Sequence, residues 1–421
     1  MGTDSKLRRI ASWRRTAVVF PLLCGILAAP AQSVSAAARA DSAEPAKEPS
    51  IAVPYKAAEL WQRGITGKGV TVGVLVSYGD PRLADFIAQY DEAYGLPPAD
   101  IVNLEPLGKA PSCTDPGVNT ANCLAWQQET RTDVAMIHSL APGARIAVTA
   151  IPVDETQGET GMPEMMRALD FLTEHGIADV VSMSFGTPEQ NFSDPRSIHR
   201  LGRAFSRAGR AGVTLVASSG DHGPTGPLRD SPDRTYDRRV VAWPASDPRV
   251  TAVGAVQLHV DRDGNRTAPD TLWPRSGAGH SSAFARPWWQ RSVADGGTAD
   301  GRAVDGRAAD GRAVDGGEAD GRSIPDITMQ GSRGSSQSAA LFAGVVALAV
   351  QQHGGRLGDI NPLLYRLGRH GAAAGITDVT EGRNDYGGVP GFAAGTGFDT
   401  ASGWGTVDVP SFVRALAGSD R

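Results

Sequence analysis

At 421 residues with a formal net charge of −5, the chain is long for one ordinary domain and leans strongly to neither sign. Its charges are spread rather than blocked, which excludes nucleic acid and an anionic membrane as partners recruited by charge. A hydrophobic share of 41% can build a sizeable core, and of three cysteines Cys24 falls in the N-terminal segment, leaving Cys113 and Cys123 as a pair.

The chain opens with a basic stretch (Lys6, Arg8, Arg9, Arg14, Arg15) and an apolar run from Ala17 to Ala29, followed by Val34-Ser35-Ala36. This is the pattern of a secretory signal over 1–36, with cleavage after Ala36 or slightly later. A membrane anchor is the alternative, but the run is shorter than the roughly 20 residues of a span and contains Pro21. Two other signals fit less well. A twin-arginine signal would need more than Arg14-Arg15, and a lipobox would want Gly or Ala where Leu23 precedes Cys24. The expected location is therefore extracellular, and no long pro-domain is expected ahead of the catalytic region. Outside the cell Cys113 and Cys123 are expected to form a disulfide, with two free thiols as the alternative. The bridge would close the polar loop before Glu129 and contribute about 3 kcal/mol on the chain-entropy account.

After a Pro-, Ala- and Glu-rich leader (37–64), apolar strands alternate with helical patterns. Strands are predicted at Val70–Val76, Arg145–Ala150, Asp179–Phe185 and Val213–Ser218, and helices at Leu83–Tyr94, Met162–His175 and Ile198–Ala211. The alternation implies an α/β fold with a central, mostly parallel sheet and helices on both faces. Sites in such a fold form beyond the C-terminal ends of the strands. From 294 to 322 the sequence reduces to Asp-Gly-Arg-Ala units that cannot bury a core. This stretch is read as a flexible surface insertion; a calcium-binding repeat is disfavoured by its period of five and its arginines.

Four residues suggest chemistry. Glu129 and Asp133 are spaced i,i+4 in a helical stretch, so their carboxyls share a face. Asp221 follows the strand Val213–Val216 in Ser219-Gly220-Asp221-His222-Gly223, and Ser336 opens an apolar helix after Gly334-Ser335. Each has an ordinary reading: a favourable partner for a helix dipole, a turn residue between glycines, and a helix cap respectively. A serine hydroxyl becomes nucleophilic only when a positioned base takes its proton. With no His-Gly-x-His element in the chain, the base is a carboxylate, Glu129, with Asp133 beside it to orient it and share its proton.

Taken in order, Glu-x-x-x-Asp, Ser-Gly-Asp-x-Gly and Gly-Ser-Ser resemble the sedolisins, serine-carboxyl peptidases built on a subtilisin-like fold. The resemblance runs from about Ile65 to Val413 and includes Trp243-Pro244-Ala245-Ser246-Asp247-Pro248 and Ser281-Ser282-Ala283-Phe284. It implies a subtilisin-like three-layer sandwich over 65–421, with Ser336 as nucleophile, Glu129 and Asp133 as its acidic partners, and Asp221 as a protonated oxyanion donor that favours acid operation. The C-terminal segments Asp378-Val379-Thr380-Glu381-Gly382 and Gly395-Thr396-Gly397-Phe398-Asp399 look like the sedolisin calcium site. That likeness implies one structural Ca²⁺ held by the Asp378 and Asp399 carboxylates and the carbonyls of Val379, Gly395 and Gly397, oxygen donors that suit a hard cation; a plain glycine-rich turn with surface acids is the alternative.

The chain departs from the family pattern at Ser335, where Thr is usual, and at Ala340, where Pro is usual. The short stretch from Asp326 to Gly334 also predicts that strands before the nucleophile are missing. The expected function is an exported monomeric acid endopeptidase acting on polypeptides through an acyl-enzyme on Ser336. Two other outcomes are weighed: a catalytically silent binding or scaffold protein of the same fold, and a His-dependent hydrolase with His138 as donor.

Overall fold

A computed structural model describes residues 50–156, 158–294 and 321–418. The secretory signal, most of the leader and residues 295–320 of the repeat lie outside the described residues.

Eight strands form the central sheet: β1 (Thr71–Ser77), β2 (Asp100–Leu104), β3 (Arg145–Ile151), β4 (Val180–Met183), β5 (Thr214–Ser218), β6 (Thr251–Gln257), β7 (Thr271–Leu272) and β8 (Ile327–Gln330). They run in the order β7-β6-β5-β4-β1-β3-β2, with β8 also paired to β6. Every pairing is parallel except β6 with β7. The near-continuous apolar runs seen in the sequence are what this demands, since a sheet covered on both faces buries both sets of side chains. β1 and β3 are buried along almost their whole length.

The helix Ser335–His353 lies against β4, β5 and β6 and is buried from Ser338 to Val350, as its all-round apolar sequence requires. The helix Thr120–Leu140 packs on it and on β1, while Met162–Glu174 and Arg203–Arg210 form a second group on the opposite face. The predicted helix Ile198–Ala211 is in fact two, Pro195–Leu201 and Arg203–Arg210. They break at Gly202, whose backbone is pressed so near the buried Asp247 that a Cβ there would come within 2.8 Å of its carboxylate.

The short segment before Ser336 holds one strand, β8, which pairs with β6 over Val253–Val256. One expectation about this region is overturned: the repeat does not extend to 322, because Gly321–Ile324 is a buried strand antiparallel to Gly279–Ala285. Arg322 is fully buried, giving Nη2 to Asp326 Oδ2 at 2.7 Å and Nη1 to Asp326 Oδ1 at 3.0 Å. The same guanidinium donates to the carbonyls of Ser323 and Val250, and the Tyr365 hydroxyl donates to Asp326 Oδ1 at 2.9 Å. A Cβ at Gly321 would collide with the Ser281 carbonyl. What looks like one more Gly-Arg repeat in the sequence is therefore an internal strand with a bidentate ion pair.

Candidate active site

The helix carrying Glu129 and Asp133 begins where the Asn119 side chain accepts from the backbone N–H groups of Ala121 and Asn122, and ends just before Pro142. A disulfide joins Cys113 to Cys123, so the bridge ties the preceding loop to the first turn of this helix rather than closing a loop wholly ahead of it. On the facing helix Gly344 permits a close approach: a Cβ there would stand 3.1 Å from the Ile137 carbonyl and 3.2 Å from Leu140 Cβ. The Gln337 amide also reaches Met136 Sδ at 3.6 Å. These contacts bring the first turn of the Ser336 helix alongside Glu129.

Asp133 is completely buried. Ser184, just beyond the C-terminal end of β4, donates its hydroxyl to Asp133 Oδ1 at 2.6 Å, while Asp133 Oδ2 and Glu129 Oε1 are buried without partners. Burial raises the Glu129 carboxyl to about 7; hydrogen bonding from Ser336 and Ser184 opposes the rise and the charge of Asp221 adds to it. Burial, then the neighbouring Glu129, drives Asp133 well above the carboxylate range, with the Ser184 bond opposing. Among the described residues no cation is a cause of either shift, so both carboxyls are pushed towards their protonated forms and the pair titrates as a unit.

Asp221 lies three residues past the end of β5. Its Oδ1 accepts from the Ser335 backbone N–H at 2.7 Å and the Ser335 hydroxyl at 2.8 Å. Ser335 Oγ accepts in turn from Gly220 N–H at 3.0 Å. Gly334, at φ +136°, leaves room beside Asp221: a Cβ there would sit 3.0 Å from Oδ2. Ser336 is the second residue of its helix and half-exposed, with Ser335 buried behind it. The four acids and hydroxyls singled out in the sequence thus converge from three segments. Sequence reasoning missed Ser184 and the bonding of Ser335; the first signal was a hydroxyl at the end of a buried strand, the second a serine adjacent to Ser336.

The His-dependent alternative is overturned. His138 is fully buried on the far part of the Glu129 helix, with Nε2 at 2.9 Å from the Pro97 carbonyl and 3.1 Å from Asp91 Oδ1.

Some distance along the chain, Asp378 Oδ2 accepts from Gly397 N–H at 2.7 Å, and Asp399 accepts from the N–H groups of Gly395, Ala401 and Ser402 and from the Ser402 hydroxyl. Burial raises the Asp399 carboxyl to about 6 and the Asp378 carboxyl above its ordinary value, with no basic side chain opposing either rise. No group of three or more His, Cys, Asp or Glu suited to a metal occurs among the described residues. A cation here would therefore need backbone carbonyls besides these two acids, and two uncompensated carboxyls in a glycine-rich loop fit such a hard-oxygen donor set.

The model of the subtilase family, which are serine peptidases, matches residues 67–362, well over half of the chain. The chain belongs to this family. Its relatives there include the sedolisins that the motifs suggested. It is 30% identical over 383 residues to kumamolisin of a Bacillus strain, covering 87% of this chain and 63% of that protein. It is 27% identical over 374 residues to sedolisin of a Pseudomonas strain, covering 82% and 57% respectively. The chain thus spans less than two thirds of the length of these relatives. The solved structure of Pseudomonas sedolisin complexed with two molecules of pseudo-iodotyrostatin superposes with a TM-score of 0.66 at 23% identity, over 89% of this chain and 99% of that one, a likeness of fold. The subtilisin-like α/β fold expected from the sequence is the fold found.

Proposed function

We propose that the protein is an exported serine-carboxyl endopeptidase that hydrolyses polypeptides on the acid side of neutrality. The observation that carries this reading is the uncompensated pair Glu129–Asp133 set against a half-exposed helix-start serine. Ser336 Oγ attacks the peptide carbonyl carbon while its proton passes to ionised Glu129. The resulting oxyanion takes a hydrogen bond from the protonated Asp221 carboxyl and from backbone N–H at the start of the helix. Glu129 returns the proton to the leaving amine as the acyl-enzyme forms, and then accepts one from the water that hydrolyses it. One demand on pH follows from the acid pair: Glu129 must lose a proton, which is favoured as pH approaches about 7. A calcium ion held by Asp378, Asp399 and neighbouring carbonyls would stabilise the C-terminal loop and take no part in the chemistry.

Purified protein, cut to its mature form, should hydrolyse a denatured protein substrate somewhere between pH 3 and 7. Ser336→Ala should lower this by about 10³-fold or more while circular dichroism stays the same. Equal hydrolysis by the variant, or none by the wild type across that range, would reject the peptidase and favour a silent member of the fold.

A further inference from the structure

Ser335 occupies the place beside the nucleophile, yet every bond it makes runs the other way, towards Asp221. Its buried hydroxyl accepts from Gly220 N–H at 3.0 Å and donates to Asp221 Oδ1 at 2.8 Å, and its own N–H donates to that same oxygen at 2.7 Å. One hydroxyl thus staples the turn after β5 to the turn that opens the Ser336 helix. The consequence for Asp221 is chemical as well as mechanical. An oxygen that already receives two donors has little use for a proton of its own, so a proton on this carboxyl belongs on Oδ2. Oδ2 is the oxygen beside Gly334, where the missing side chain keeps the space next to the nucleophile turn open.

We propose that Ser335 is a positioning residue, which fixes the Asp221 carboxyl so that its acidic proton sits on Oδ2 and faces the oxyanion formed on Ser336. This rests on the peptidase reading given above and adds to it a residue that never meets the substrate. Without the hydroxyl, Asp221 keeps only the Ser335 N–H, can rotate, and can place its proton on either oxygen. Oxyanion donors act through placement; losing one outright costs about 10²–10³-fold in kcat, and a displacement of about 1 Å costs a comparable amount. Loss of the staple should cost a fraction of that.

The test measures kcat and KM for Ser335→Ala, Ser335→Thr, Asp221→Ala and the double variant Ser335→Ala/Asp221→Ala. Ser335→Ala should lower kcat about 10–100-fold with KM within about threefold. Threonine, which keeps the hydroxyl, should restore kcat to within about threefold. In the Asp221→Ala background the further loss from Ser335→Ala should vanish, because the two residues act as one. If Ser335→Ala fails to fold, Ser335→Cys, of similar shape but with a weak donor, should show the same loss in a folded protein. Unchanged kcat in the alanine or cysteine variant, or losses that simply add in the double variant, overturn the inference while leaving the peptidase reading intact. A wild type without hydrolytic activity removes both.

Discussion

Asp326 and Asp133 are both fully buried carboxyl groups in one molecule, and their surroundings are opposite. Around Asp326 every lone pair has a donor: two bonds from Arg322, one from the Tyr365 hydroxyl and one from the backbone of Ala252. Around Asp133 there is one donor, Ser184, and a second acid, Glu129, with an orphaned oxygen on each. A buried charge that is paired and hydrogen-bonded is fixed in place and chemically inert. A buried acid pair without a cation is unstable as a dianion, and that instability makes it a store of exchangeable protons. The same burial therefore builds a rivet in one place and, in the proposed mechanism, a proton relay in the other.

The largest effect that would break this comparison is at the relay. Glu129→Gln should lower kcat by about 10²–10⁴-fold, the usual worth of a general base. The same change should stabilise the fold near neutral pH. The Glu129 carboxyl stands near 7 against an ordinary value of 4.5. Its folded value is thus the higher one, and its contribution to stability is fully present below about 4.5 and lost as pH rises through about 7. The slope is at most about 1.4 kcal/mol per pH unit. Glutamine carries no proton to lose, so denaturant unfolding of the variant should show a flatter decline over that window. Wild-type and variant curves of equal slope would mean that Glu129 is not held in a desolvating site.

The rivet gives the next largest effect. Arg322→Ala leaves Asp326 buried and unpaired and should cost about 3–5 kcal/mol in unfolding free energy, while kcat per folded molecule stays near wild type. A loss below about 1 kcal/mol would show that the guanidinium is dispensable and that the contrast with Asp133 is not one of pairing.

The C-terminal loop lies between these extremes and sharpens the comparison, because Asp399 is well supplied with N–H donors but has no cation beside it. A chelator should lower Tm in wild type and in Ser336→Ala alike, with calcium at a hundredfold excess over its Kd contributing about 2.7 kcal/mol. The effect should be larger near pH 7 than near pH 4.5, since protons compete for a carboxyl whose value is raised to about 6. Asp399→Asn should be almost insensitive to chelator. A melting curve unmoved by chelator, with no tightly held metal on elemental analysis, would remove the calcium proposal.

Much of this was legible in the sequence because it depended on local pattern. The β1 and β3 runs, the Leu83–Tyr94 helix and the i,i+4 placement of Glu129 and Asp133 follow from period and capping, and they hold in the structure to within a residue or so. The rest depended on partners that are distant in the chain. Nothing local shows that Ser184 will meet Asp133, or that Ser335 rather than Ser336 will hold Asp221. Arg322 misled because the residues before it repeat; its assignment to the core comes only from Asp326, Val250 and Trp289 closing around it.

The helix contact at Gly344 sits about two turns from the chemistry, opposite Ile137, which is equally far from Glu129 on its own helix. Two stiff rods pinned there transmit any change in their separation to their working ends. The gap that the proposed proton transfer from Ser336 to Glu129 would cross is thus gauged by a position with no side chain at all. Under the proposed mechanism, reactivity can be tuned from the interior, through helix spacing, without altering a single residue that a substrate touches.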